Sequence, residues 1–123
     1  MTMRNHTLDF SELAAIYPAS TSNLEIGRLC CLAAARGYRV FDIYAEPDRF
    51  LTPPRPLFDQ LLIDATNHCF AAVIFSGTAV SLQSDAEFHR AIQHLLDAGV
   101  RCIAIGGVVW EARLQTDSWV WAH

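Results

Sequence analysis

Apolar positions along this chain alternate between short solid runs and stripes at helical spacing. Leu13-Ala14-Ala15-Ile16-Tyr17 is a solid run that Pro18-Ala19-Ser20-Thr21-Ser22 breaks, which predicts a strand over 12–17. Ser22 followed by Glu25 has the spacing of a capping box, in which each side chain satisfies an orphan amide at a helix start. A helix follows to Arg36 with Ile26, Leu29, Cys30 and Ala33 on one face, and Gly37 is suited to stop it. Val40, Ile43 and Tyr44 mark a second strand over 39–45. Pro47, Pro53 and Pro54 make 46–54 a loop, and Pro56 opens a second helix carrying Leu57, Phe58, Leu61, Leu62 and Ala65. A third strand spans 70–75. Ser84 and Glu87 then form another capping box, opening a helix with Phe88, Ala91, Ile92, Leu95 and Leu96 inward. Gly99 ends it before a fourth strand over 101–105.

Strands alternating with amphipathic helices predict a three-layer α/β domain: a mainly parallel sheet of four to five strands, with helices on both faces. The optional fifth strand is the apolar stretch within 108–114. Residues 1–11 are polar, without the apolar core of a signal peptide, and read as a flexible leader to a single domain over 12–123. No apolar run approaches the ~20 residues of a membrane span, so a cytoplasmic protein is expected.

Composition narrows the function classes. Hydrophobic residues make up 52% and charged residues 18%, enough to supply a core and to exclude disorder. Net charge is -4, and all nine basic residues are scattered arginines. Phosphate neutralisation needs a basic face, so autonomous binding of nucleic acid is disfavoured. Cys30, Cys31, Cys69 and Cys102 form no C-x-x-C pair and are expected to be buried structural thiols. His89 and His94 are five apart, which is not the spacing of a chelating helical pair; neither a metal site nor a cofactor is expected.

Several strings carry a resemblance. Ala14-Ala15-Ile16-Tyr17 with Ser20-Thr21 resembles the Ala-Ile-Tyr-Ala-Arg-Val-Ser-Thr strand of serine recombinase (resolvase/invertase) catalytic domains. Ala34-Ala35-Arg36-Gly37-Tyr38-Arg39-Val40 is similar to the end of that family's first helix and its second strand. Arg55-Pro56-Leu57-Phe58-Asp59-Gln60-Leu61-Leu62-Ile63-Asp64-Ala65 resembles its Arg-Pro-Gly-Leu-x-x-Leu-Leu-x-Asp-Ala segment. The resemblance runs from Ala14 to Ile105 and implies a resolvase-like fold.

It also implies a chemistry that this sequence has largely lost. In that family a serine attacks the DNA phosphodiester, and several arginines stabilise the phosphorane-like charge. Here the arginine two places before the nucleophile falls at Pro18-Ala19, and Ser20 or Thr21 takes the nucleophile position. The family's Asp-Arg-Leu-x-Arg is replaced by Thr78-Ala79-Val80-Ser81-Leu82, and Arg55 is the one matching active-site arginine. Only residues 106–123 follow the fourth strand, so the family's dimer helix and DNA-binding domain are expected to be absent.

No catalytic residue is therefore expected; Ser20, Thr21 and Arg55 are vestigial positions. Ser22 is explained as a helix cap, and Arg55 is expected to lie exposed at a helix start. Ser20, Arg55, Ser76 and Thr78 are candidates for ligand binding, the last two because open α/β sheets bind ligands after their strands. Trp110, Trp119 and Trp121 crowd the tail and are interface candidates, packing either on the chain's own core or on a second subunit. The leading expectation is an inactive resolvase-like domain working as a protein-interaction or regulatory module, with a protein partner or itself as a homodimer. The alternatives are a nucleotide or small-molecule binder using the old phosphate region, and residual recombination or DNA binding.

Overall fold

The computed structural model describes residues 12–46, 55–77, 86–106, 108–116 and 118–122. The elements are β1 (Leu13–Tyr17), α1 (Asn23–Ala35), β2 (Arg39–Ile43), α2 (Pro56–Thr66), β3 (Ala72–Ser76), α3 (Ala86–Asp97), β4 (Arg101–Gly106), β5 (Val108–Leu114) and β6 (Trp119–Ala122). They build an α/β structure on a six-stranded sheet of order β2-β1-β3-β4-β5-β6. The pairs β1–β2, β1–β3 and β3–β4 are parallel; β4–β5 and β5–β6 are antiparallel. The sheet is thus mixed and larger than the four to five mainly parallel strands expected. The difference is β6, a four-residue strand whose indoles hide its alternation.

Helices cover both faces. Leu29 and Ala33 of α1 pack on Ala14, Ile16, Ala72, Ile74 and Ile103. On the other face Phe58 and Leu61 of α2 and Phe88, Ile92 and Leu95 of α3 pack on Tyr17, Val73, Phe75, Cys102 and Ala104. The alternation along β1, β3 and β4 sends each residue to one of these two clusters, so the central strands are buried from both sides.

Helix ends follow the chemistry of their terminal residues. Gly37 and Gly99 both take positive φ, at 87° and 84°. Behind each glycine a buried residue donates back into the last turn: Tyr38 N–H to Ala33, Val100 N–H to Leu95. His68 occupies the same position after α2 at φ 59°, where a Cβ is unfavourable.

The capping box at α1 forms by half. The Glu25 amide donates to Ser22 Oγ at 3.5 Å, but the Glu25 carboxylate reaches past Ser22 to the Ala19 amide, 2.7 Å away. Ser84 of the other expected box, the leader 1–11 and Thr78 lie outside the described residues.

The tail tryptophans take the first of the two packings expected of them, on the chain's own core. Trp119 and Trp121 are buried in the chain's own core, at 2% and 8% exposure, with Trp110 packed half-buried beside them. Trp119 stacks on His89 of α3 and its indole N–H donates to the His89 carbonyl at 3.2 Å. These side chains complete the α3 face of the sheet. The cysteines also depart from expectation: Cys102 is buried, but Cys31 is exposed and Cys30 and Cys69 are only partly covered.

The sheet's two edges differ. At β2 every residue is exposed; Ala14 and Ala15 pair with Val40 and Asp42, so Phe41 bulges out of register. Arg39 and Asp42 are charged, and Asp42 Oδ1 accepts the Ile43 amide at 2.8 Å. Bulge, charge and a side chain on a backbone donor all obstruct strand addition. β6 has none of these: it reads Trp-Val-Trp-Ala in unbroken register with β5.

Replacing Trp119 by Ala should lower the free energy of unfolding by about 3–5 kcal/mol, since a buried indole and its hydrogen bond are lost. Urea titrations of both chains at equal concentration measure it, and a change under 1 kcal/mol would contradict burial in the core.

Candidate functional site

The route of the chain selects the end of the sheet where chemistry can be placed. From β1 the α1 crossover leads to β2 on one side, and the α2 crossover returns to β3 on the other. Connections therefore diverge at the carboxyl ends of β1 and β3, which is where open α/β sheets leave a crevice. Two groups of polar residues gather at this end, on opposite faces.

On the α1 face lies a cleft of about 440 Å³, bounded by Glu25 and Arg28 of α1, Ser76 and Gly77 at the end of β3, and Ile105 and Gly106 of β4. Ser20 adjoins it through Glu25: its hydroxyl donates to Glu25 Oε1 at 3.2 Å and accepts the Ser22 amide at 3.2 Å. Both hydrogen bonds of this hydroxyl stay within its own loop and the first turn of α1. Thr21 is exposed in the same loop. The geometry thus brings Ser76 into the cleft and ties Ser20 to its wall.

On the α2 and α3 face the polar group is buried. Helix α2 opens on Arg55-Pro56, and Arg55 supplies no capping side chain. The missing acceptor comes from Glu46, 4% exposed, which takes the Phe58 amide at 2.9 Å and the Leu57 amide at 3.4 Å. The negative carboxylate is matched to the positive end of the helix. Tyr17 completes the cluster by donating its hydroxyl to Glu46 Oε2 at 3.2 Å. Burial, and then the Glu46 charge, push the Tyr17 hydroxyl far above its ordinary pKa, so it stays a proton donor across physiological pH. The aromatic rings of Phe58, Phe75 and Phe88 surround it, with Phe58 and Phe88 stacked at 4.9 Å.

Arg55 departs from the exposed side chain expected. It is 5% exposed and forms an ion pair with Glu87 in the first turn of α3. The phosphate-facing arginine of the resemblance is thus engaged by a carboxylate, while Ser20 is held by another. Among the described residues, Glu25, Glu46 and Glu87 stand against Arg28 and Arg55 around this end of the sheet, a balance that opposes an incoming phosphate. Among the described residues no group of three His, Cys, Asp or Glu side chains is arranged to hold a metal ion.

Tyr17, Glu46 and Glu87 were not anticipated as site residues from the sequence. For Glu46 a signal exists: a helix opening on Arg-Pro lacks a capping side chain, so an acceptor has to arrive from elsewhere. Glu87 was read as part of a cap, and nothing local points it toward Arg55.

No family model, curated protein or solved structure matches the chain.

Glu46→Ala should destabilise the fold by roughly 3 kcal/mol, because α2 loses its acceptor and the buried Tyr17 hydroxyl loses the carboxylate it donates to. Glu46→Gln should lose less, since an amide oxygen still accepts. Chemical denaturation of the three chains checks the order; equal losses would show that the carboxylate's hydrogen bonds do not matter.

Proposed function

We propose that this chain is a catalytically silent, resolvase-like domain that works as a protein-interaction module, offering one sheet edge to an extended strand. The resemblance of the Ser20 loop and the Arg55-Pro56 helix start supports the family reading, since these strings fall at the end of β1 and the start of α2. Loss of chemistry is supported by the engagement of Ser20 with Glu25 and of Arg55 with Glu87. Nucleophilic attack on a phosphodiester needs cationic stabilisation of the transition state, and carboxylates at both positions work against it.

The observation that carries the interaction half is the contrast between the edges. β2 is obstructed by a bulge, charges and the Asp42 side chain, whereas β6 is short, uncharged and regular. An unobstructed edge is a template for strand addition. The setting that fits is the reducing cytoplasm, where the free thiol at exposed Cys31 persists.

Incubation with supercoiled DNA should leave its topology unchanged and trap no covalent serine adduct, in the native chain and in Ser20→Ala alike. A nick or adduct that disappears with Ser20→Ala would sink the silent-domain reading.

A second reading rests on the cleft after β3 and β4, whose place in the fold suits a small anionic ligand or nucleotide held by the Ser76 hydroxyl and Arg28. Titrating inorganic phosphate to millimolar levels should then shift the Ser76 and Gly77 amide resonances, and Arg28→Ala should abolish the shift. Unmoved resonances would remove this reading.

A further inference from the structure

We propose that the cleft on the α1 face binds a small monocarboxylate with an apolar body, of the medium-chain fatty acid class; this rests on the anion reading of that cleft and names its ligand. The cleft continues into a second cavity of about 420 Å³, lined by Asn23, Leu24, Gly27, Arg28, Cys31 and Ile105. Arg28 and Ile105 line both, so the two are halves of one site. Each half has the size of a small-molecule pocket. Their chemistry differs. The first half carries Glu25, Arg28 and Ser76, whereas the second exposes almost only apolar atoms.

Helix α1 builds the apolar half. Leu29 and Ala33 face the sheet, and Leu24, Gly27 and Cys31 form a neighbouring stripe at i, i+3 and i+7. Leu24 is 73% exposed, a large apolar side chain left in water. Gly27 is the informative residue, because a glycine inside a helix is less stable there than alanine. Two usual reasons for one do not apply. Its φ is not positive, and among the described residues a Cβ added to it would meet nothing within 4 Å. What the missing side chain leaves is an open floor between Leu24 and Cys31. An apolar ligand chain lying on that floor covers Leu24 and takes apolar surface out of water.

The polar half selects the head group. Among the described residues Arg28 has no carboxylate partner and the Ser76 hydroxyl has no hydrogen-bond partner. The carboxylate of Glu25, in the same wall, already accepts the Ala19 amide and the Ser20 hydroxyl. Its charge remains, so one unpaired guanidinium stands near one carboxylate. That balance favours a head with a single negative charge over one with two. A nucleotide's phosphates call for a cradle of backbone amides, but the Gly77 amide is spent on the Ile105 carbonyl at 2.9 Å. A carboxylate needs only the fork of one arginine. Arg28 stands where the halves meet, so a carboxylate on its guanidinium can send its chain over Gly27. A purely apolar partner surface would leave the guanidinium and the Ser76 hydroxyl unmet.

Octanoate is the probe, with octanol and inorganic phosphate standing for its two halves. Octanoate should shift the amide resonances of Leu24, Gly27, Cys31 and Ser76. Phosphate should move the Ser76 end alone, and only at millimolar levels. Arg28→Ala should weaken octanoate binding by about tenfold or more and leave octanol unchanged. Octanoate at about ten times its Kd should slow iodoacetamide alkylation of the exposed Cys31 by about tenfold, read by peptide mass. Gly27→Leu should raise the thermal midpoint, because the helix gains propensity, while octanoate binding is lost. A damaged fold could not give both results. Octanoate that moves nothing beyond what phosphate moves overturns the proposal and leaves the anion reading standing; if neither probe moves Ser76, both fall. Binding that Arg28→Ala and Gly27→Leu leave intact overturns it equally, as does a Cys31 that octanoate fails to protect. Should Gly27→Leu not fold, octanoate against octanol in the native and Arg28→Ala chains decides.

Discussion

The middles of the central strands β1, β3 and β4 have no solvent on either face, and the pairing of their backbone groups in the ladder is what the rest of the structure answers to. Ala14, Ala15 and Ile16, then Ala72 to Phe75, then Cys102 to Ala104 are all fully enclosed. A buried amide or carbonyl without a partner costs free energy on the scale of a hydrogen bond, so these strands have to sit inside a sheet. Their side chains then have to be covered on both sides, which sends α1 to one face and α2 with α3 to the other. Small residues at Ala14, Ala15, Ala72 and Ala104 let the helices approach closely. The polar consequences are displaced to the ends and edges of the sheet: the cleft after β3 and β4, the capped start of α2, and the outermost strands.

Much of this was legible in the sequence because it is local. Solid apolar runs located β1, β3 and β4, helical stripes located the helices, and Gly37 and Gly99 located two stops; all depend on residues within a turn or two of each other. His68 escaped notice because a histidine at positive φ breaks the residue preference that made the glycines readable. β6 escaped because four residues give too short an alternation to separate from a loose aromatic tail. Glu25 was expected to close a cap on Ser22 and instead reaches the Ala19 amide, since the bend at 18–20 brings that donor closer than sequence spacing indicates.

The candidate site was less legible for a related reason. Ser20 and Ser76 could be placed after strands from topology alone, and Arg55 at a helix start from its Pro56 neighbour. What these residues touch is set by pairs far apart in the chain: Arg55 with Glu87, Tyr17 with Glu46, Glu46 with the Phe58 amide. Such pairs reverse the meaning of a residue. An exposed arginine at a helix start is a potential phosphate ligand; the same arginine, enclosed and matched by a carboxylate, has its positive potential largely spent. On the family reading proposed above, the sparse arginines and the carboxylates facing Ser20 and Arg55 act in the same direction, and the second of these appears only in three dimensions.

The tail shows why a residue's side chain and its backbone have to be judged apart. Three tryptophans near the end of the sequence suggest a sticky surface if the residue is taken as one object. In a strand, however, side chains stand perpendicular to the sheet while N–H and C=O groups lie in its plane. Trp119 and Trp121 can therefore be internal by their indoles while their peptides belong to the plane of the sheet. Burial of the indoles against α3 holds β6 flat on β5 in a fixed register. That fixed register is what aligns the outward donors and acceptors. The strand addition proposed for the tail thus lies in the plane of the sheet, at right angles to where the aromatic side chains point.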